Sequence, residues 1–240
     1  MRILITNDDG VGASQLLPLI KWCQKLGEVA AYVPKVEQSA KSHGVEIHKP
    51  FEVKKVTLED GIEVYAVDST PADCVRFAIL GMGEKPDLVI SGVNRGLNIG
   101  SDIMYSGTVS AACEASNLGF KAIALSTPPE SYDHSTEHLD RVFEFVFDNE
   151  LLSLNDIYNI NIPREAGKIL ITHQGGPYYS DDFIPIGNDM YMPQGKDIFE
   201  DSNDNTFDTD AVMHGFISVM PVTRNRTNFV AYEKIKHLSE

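Results

Sequence analysis

Short apolar runs alternate with amphipathic stretches over the first 150 residues. The runs at residues 2–6, 29–33, 63–67, 88–91 and 122–126 have the length of buried strands in a parallel sheet. Between them, apolar positions recur at helical spacing at residues 14–26, 71–80, 108–118 and 138–147. This alternation predicts an α/β fold whose mostly parallel, doubly wound (Rossmann-like) sheet carries helices on both faces.

The regular pattern ends after about residue 171. Residues 174–210 are rich in Gly, Pro, Asn, Asp and Tyr and include an acidic run at residues 200–204. We predict an extended arm there, either disordered or ordered by a partner subunit. Residues 215–222 predict a late strand and residues 229–240 a short helix. The chain thus divides into a core over 1–173, the arm over 174–210, and a strand and tail over 211–240 that return to the core.

The net charge of the chain argues against some classes of binding partner. The 240 residues include 20 Lys and Arg against 35 Asp and Glu, a net charge of −15. Because phosphate backbones and anionic lipids are held by basic residues, we expect neither nucleic-acid nor membrane binding. A small phosphate substrate stays compatible with this charge if a metal ion supplies the positive charge.

The cysteines and the apolar profile indicate a compartment. Cys23, Cys74 and Cys113 are far apart and lack CxxC spacing, which is typical of buried reduced thiols. We see no signal peptide and no apolar stretch of membrane-spanning length. These features predict a cytoplasmic protein.

Two adjacent carboxylates follow the first apolar run, in Asn7-Asp8-Asp9-Gly10. Ligands of open α/β sheets bind at the carboxyl ends of strands, and two carboxylates there repel each other unless a positive charge lies between them. A hard divalent cation suits Asp oxygens. Asp-Asp-Gly is also common in surface turns, so the pair alone favours a site only slightly. Ser14 is a plausible N-cap for the helix that follows.

A second phosphatase mechanism is disfavoured. Phosphatases with an aspartyl nucleophile also place Asp-x-Asp-Gly after their first strand, but this alignment puts Asn7 at the nucleophile. An amide cannot attack phosphorus to form an aspartyl-phosphate, which leaves metal-activated water as the better hypothesis.

Three further segments could complete a site. Ser39 lies in a polar loop after the second run, and Asn94 and Asn98 lie in a glycine-rich loop after residues 88–91. Tyr105-Ser106-Gly107-Thr108-Val109 opens the Ala-rich helix, where hydroxyls and N–H groups suit a phosphate. Each of these residues alone is more often a turn former or a cap. Together, each beside a strand end or a helix start, they favour a site.

Several motifs carry a resemblance to a known family. Asn7-Asp8-Asp9-Gly10, Ser39, and the segments at residues 70–75, 91–100 and 105–109 together resemble the SurE survival-protein family of metal-dependent 5′/3′-nucleotidases. The resemblance runs from residue 1 to about 127 and resumes near residue 209, where Thr209-Asp210 and residues 215–221 resemble the family's C-terminal signature.

The resemblance implies a function and a set of site residues. It implies a phosphomonoesterase that hydrolyses nucleoside 5′- and 3′-monophosphates, with one Mg²⁺ or Mn²⁺ per subunit. The metal ligands would be Asp8, Asp9, Ser39 and Asn94, with Asp8 and Asp9 also catalytic. The phosphate contacts would be Asn98, Ser106, Gly107 and Thr108. The arm would join a homodimer or homotetramer. An acid phosphatase or exopolyphosphatase of short polyphosphate, and a non-catalytic nucleotide-binding protein, are the alternatives.

Overall fold

A nine-stranded sheet forms the centre of the molecule in the computed structural model, which describes residues 1–238. Its strands are β1 Arg2–Thr6, β2 Glu28–Pro34, β3 Val53–Thr57, β4 Glu63–Val67, β5 Leu88–Arg95, β6 Ala122–Thr127, β7 Ile157–Asn161, β8 Ile169–Ile171 and β11 Ile217–Val222. Across the sheet they lie in the order β3-β4-β2-β1-β5-β6-β7-β11-β8. Most neighbours run parallel, while β3 and β11 pair antiparallel with β4 and β7. The predicted α/β sheet is confirmed.

Helices cover both faces of this sheet. They are α1 Leu16–Cys23, α2 Pro71–Arg76, α3 Gly107–Asn117, α4 Leu139–Asp148, α5 Leu151–Leu154, α6 Asp208–Met213 and α7 Phe229–Ile235. Strand β1 shows the two cores directly. Ile3 and Ile5 belong to the cluster that contains α1 and α4, whereas Leu4 belongs to the cluster that contains α2 and α3. Successive strand residues point to opposite faces, so the centre of β1, Ile3 to Ile5, is continuously apolar because both faces are covered.

The segment over 174–210 differs from its prediction as an extended arm. It contains a regular antiparallel hairpin of β9 Tyr179–Gly187 and β10 Met190–Asp197. The turn residues Asn188 and Asp189 both have positive φ, as two-residue hairpins require. Pro185 and Pro193 lie inside the strands, and proline argues against a central strand. A two-stranded ribbon tolerates them because its outer edges need no N–H donor.

Smaller predictions are also corrected. Helix α1 begins at Leu16, with Gln15 at its N-cap and no side-chain cap, so Ser14 does not cap it. Cys23 and Cys74 are buried, but Cys113 is only half-buried. The predicted C-terminal helix corresponds to α7 and a 3₁₀ turn that ends at Leu238, and residues 239–240 lie outside the described residues.

No helix within residues 1–238 is both long and apolar enough to cross a lipid bilayer.

Candidate metal and phosphate site

A tight turn presents the two carboxylates at the carboxyl end of β1. The Asn7 side chain closes it, since Asn7 Oδ1 accepts from the Gly10 N–H at 3.0 Å and Asn7 Nδ2 donates to the Gly10 carbonyl at 3.1 Å. Gly10 has φ +86°, and a Cβ there would lie 3.0 Å from the Val36 carbonyl carbon. Glycine is therefore needed both for the turn and for the close approach of the loop after β2.

Asp8 and Asp9 lie side by side, each held through one carboxylate oxygen. Asp8 is buried, and its Oδ1 accepts from Thr108 Oγ1 at 2.7 Å. Asp9 is half-buried, and its Oδ2 accepts from the Arg95 N–H at 3.1 Å and from the Tyr132 hydroxyl at 3.3 Å. Three separate segments of the chain thus orient the pair. The second oxygens, Asp8 Oδ2 and Asp9 Oδ1, accept no side-chain hydrogen bond within residues 1–238, while the Thr108 N–H lies close enough to the Asp8 carboxyl group to lower its pKa.

Burial makes negative charge costly at this position. It raises the pKa of Asp8 to about 6, and the charge of Asp9 adds to the rise while the Thr108 hydrogen bond opposes it. Burial also raises the pKa of Asp9, against the hydrogen bonds from Arg95 and Tyr132. Two carboxylates in one partly dry site are stabilised in their charged forms by a cation.

Asn94 and Ser39 occupy different positions relative to this pair. Asn94 lies at the end of β5, next to β1, and its Nδ2 donates to the Gly96 carbonyl at 2.8 Å. Its Oδ1 accepts no hydrogen bond from the described part of the chain. Ser39 is exposed, and its hydroxyl donates to Glu37 Oε1 at 2.6 Å. The Ser39 loop is nevertheless fixed at the site, because the Gln38 N–H donates to the Asp8 carbonyl at 2.8 Å.

Helix α3 begins against Asp8. A Cβ on Gly107 would lie 3.1 Å from the Asp8 Cβ and 3.2 Å from Asp8 Oδ2, so the first turn of the helix abuts the carboxylate. Ser106 caps the helix, with its Oγ accepting from the Val109 N–H at 3.0 Å. The first N–H groups of a helix have no intrahelical acceptor and attract anions. The helix start therefore offers donors beside Asp8.

Asn98 sits in a buried polar network. Its Nδ2 donates to Ser126 Oγ at 2.7 Å, and its carbonyl accepts from Asn159 and Asn161 at 2.7 and 2.8 Å. Those bonds fix the loop after β5 against β6 and β7. A direct contact of Asn98 with phosphate stays a prediction.

The donor set fits a hard divalent cation. No group of three or more His, Cys, Asp or Glu side chains within residues 1–238 is placed to hold a metal. Two carboxylates complemented by amide and hydroxyl oxygens are instead a ligand set typical of Mg²⁺ or Mn²⁺. Asp8, Asp9 and Asn94 each keep one side-chain oxygen that accepts no side-chain hydrogen bond within residues 1–238, and this observation supports the fit.

The sequence-based interpretation missed one residue of the site and assigned a second to a different partner. Tyr132 lies in a 3₁₀ turn and carries no motif around it, so nothing in the sequence connects it with Asp9. Thr108 was predicted as a phosphate contact, but its hydroxyl here donates to Asp8. Both residues are oriented by tertiary packing, which a local pattern does not report.

We expect Gly107→Ala to impair the site more than the fold. The added methyl would press on Asp8 and on Pro71 Cγ, 3.2 Å away. Overpacking typically costs about 1–3 kcal/mol, partly offset by the better helix propensity of alanine, about 1 kcal/mol. Any reaction that depends on this site should be strongly impaired, while the urea midpoint, which reports the stability of the fold, should change little. Gly12→Ala is the matched control, because a Cβ at Gly12 meets nothing within 4 Å. Full activity in Gly107→Ala would contradict the close packing of α3 on Asp8.

Comparison with known proteins gives one consistent result. The family model described as "Survival protein SurE" matches residues 3–181. A protein of Alkaliphilus metalliredigens named 5′-nucleotidase SurE is 38% identical over 100% of this chain and 99% of its own length. Its namesake in Thermoanaerobacter sp. (strain X514) is 39% identical over 95% of this chain and 94% of its own. The crystal structure of a SurE protein from Aquifex aeolicus superposes with a TM-score of 0.77, at 29% identity and full coverage of both chains.

Proposed function

The chain belongs to the SurE survival-protein family and is a 5′-nucleotidase, a phosphatase of nucleoside monophosphates; we propose that it works with one divalent cation, Mg²⁺ or Mn²⁺, at Asp8 and Asp9. The single observation that carries the metal proposal is this adjacent carboxylate pair, one residue buried and one half-buried, in which each residue keeps one oxygen free of side-chain hydrogen bonds within residues 1–238. Ser39 and Asn94 complete the proposed ligand set.

The residues around the pair have separate tasks in this mechanism. A divalent cation, when bound, supplies positive charge to the phosphoryl group and lowers the pKa of a water molecule. Thr108, Tyr132 and the Arg95 N–H hold the carboxylates in place by the hydrogen bonds described above. Groups that only orient a metal ligand typically change metal affinity or activity about 10–100-fold when removed.

We assign phosphate binding to the start of α3. The N–H groups of Gly107 and Thr108 and the Ser106 hydroxyl lie in the first turn, which abuts Asp8. Fixed donors of this kind stabilise negative charge as it develops on phosphoryl oxygens. Asn98, beside Ser126 in the loop after β5, is proposed as a further contact. Asp9 is only half-buried and is the carboxylate we assign to moving a proton.

Phosphate release from a panel of 5′- and 3′-nucleoside monophosphates tests this proposal. We expect turnover with Mn²⁺ or Mg²⁺ and none after EDTA treatment, with activity restored on adding the metal back. Turnover that is unaffected by EDTA would contradict the metal mechanism. Nucleotide binding without turnover under any metal would instead support the non-catalytic alternative.

We also propose that the β9–β10 hairpin is a contact between subunits of a homodimer or homotetramer. Both strands expose large apolar side chains: Phe183, Ile184, Ile186, Met190, Tyr191 and Met192. An exposed apolar patch on a two-stranded ribbon is typical of an association surface, and such a ribbon is marginally stable alone.

The double variant Phe183→Ser/Tyr191→Ser tests this contact. These side chains are 64% and 62% exposed, so their replacement costs the monomer fold little. We expect light scattering to show a smaller species than the wild type at equal concentration. The control is Phe229→Ser/Tyr232→Ser, which removes exposed aromatic residues from α7. An unchanged mass in the hairpin variant would exclude the hairpin as the main contact.

The cellular compartment is a further proposal. All three cysteines are free thiols, and burial raises the pKa of Cys113 to about 11. Unreactive free thiols support the predicted cytoplasmic location.

A further inference from the structure

A large cavity lies at the same edge of the sheet as the carboxylate pair. It has a volume of about 670 Å³, within the range of small-molecule sites. Its walls come from the loops after β5, β6 and β7, the base of the hairpin and the end of α6. Much of the lining is apolar, including Leu97, Pro128, Pro163, Tyr178, Val212 and Met213.

The cavity adjoins the site and shares a lining residue with it. It begins at Gly96, two residues beyond Asn94, whose side chain donates to the Gly96 carbonyl. Pro129 lines both this cavity and a smaller one of about 380 Å³ that contains Asp9 and Arg95. In the sheet, β6 is two strands from β1, or about 10 Å. A nucleoside spans such a separation when its phosphate is at the carboxylates.

The smaller cavity is a poorer place for a nucleoside. Asp9, Glu37 and Asp133 line it, and it offers little apolar surface. The larger cavity is lined by an aromatic residue, Tyr178, which is half-buried and whose main chain is fixed by a hydrogen bond. The Tyr178 N–H donates to Asp102 Oδ2 at 3.2 Å, and the Tyr178 ring lies near Phe199, with centroids 6.3 Å apart.

From this geometry, and resting on the proposed function, we propose that the 670 Å³ cavity binds the nucleoside of the substrate and that Tyr178 is a specificity residue that contacts the base. Every base has a face on which an aromatic ring can stack, so this contact favours nucleotides over other phosphomonoesters. It does not act on the phosphoryl group itself.

Paired kinetics on adenosine 5′-monophosphate and ribose 5-phosphate test this assignment. The two substrates share the sugar and the phosphate and differ in the base. Because a stacked base is worth about 1–3 kcal/mol, Tyr178→Ala should lower kcat/KM for the nucleotide by about 5- to 150-fold, through KM. Ribose 5-phosphate kinetics should stay unchanged. Tyr232→Ala, on exposed α7, is the matched control and should alter neither substrate.

A second variant and an inhibitor distinguish a lost contact with the base from a disturbed fold. Met213→Trp adds bulk to the same wall and should also raise KM for the nucleotide alone. Adenosine, which lacks phosphate, should inhibit ribose 5-phosphate hydrolysis in the wild type and about tenfold more weakly in Tyr178→Ala. Equal losses on both substrates, or no loss on either, would overturn the assignment. A wild-type enzyme that hydrolyses neither substrate with any metal would instead overturn the proposed function, and the assignment with it.

Discussion

Asp8→Asn and Asp9→Asn are each expected to abolish turnover while leaving the protein folded. Loss of a group that merely orients a metal ligand costs about 10–100-fold, so loss of a ligand should cost more than about 100-fold in kcat/KM. Neither change leaves a buried charge unpaired, because the amide is neutral. Circular dichroism and a urea midpoint check the fold, and phosphate release checks the activity.

Metal binding separates a lost ligand from a disturbed fold. Mn²⁺ should raise the melting temperature of the wild type and have little effect on either variant. Asp60→Asn is the control, because Asp60 is an exposed turn residue with positive φ that asparagine tolerates. Either site variant retaining full activity and the full Mn²⁺ shift would show that the cation binds elsewhere.

The second large effect is on the pH dependence of stability in the metal-free protein. Burial, with help from Asp9, raises the pKa of Asp8 from 3.8 to about 6. A carboxyl that binds its proton more tightly in the folded state favours folding below the unfolded pKa. That contribution is lost as the pH rises through about 6, so Asp8 should cost roughly 3 kcal/mol of unfolding free energy by pH 7.

Asp8→Asn isolates this contribution from the other titrating groups. Urea unfolding of both proteins in EDTA, from pH 4 to pH 7, gives the difference in their free energies of unfolding. We expect Asp8→Asn to gain roughly 2 kcal/mol relative to the wild type between pH 4 and pH 7, because the amide does not titrate. If the free energies of unfolding of the two proteins changed equally with pH, Asp8 would be well solvated in the metal-free protein.

Much of the architecture follows from apolar periodicity, and its failures have physical causes. The centre of strand β1, Ile3 to Ile5, is apolar toward both faces because both are covered, and this made the strand easy to predict. Strand β7 was missed because Asn159 and Asn161 interrupt its apolar pattern. Both are fully buried, and their Nδ2 groups donate to the carbonyl of Asn98, which is in place only once the loop has folded.

The candidate site was predictable only as far as its residues lie beside strand ends or at a helix start. Asp8, Asp9, Asn94 and Thr108 are all found at the carboxyl edge of the sheet or at the start of α3, as expected. Tyr132 was not predictable, because its contact with Asp9 joins residues 123 positions apart. The hairpin turn at Asn188 and Asp189 carried a usable signal, but the prolines on either side obscured it.

A titration of EDTA-treated protein with Mn²⁺ tests the central claim most directly. Calorimetry reports binding, and phosphate release from adenosine 5′-monophosphate reports turnover on the same samples. We predict about one ion per subunit, turnover that rises in proportion to occupancy, and no binding at this site in an Asp8→Asn/Asp9→Asn double variant. Full turnover before any Mn²⁺ is added, or unchanged binding in the double variant, would contradict a metal-dependent reaction at this carboxylate pair.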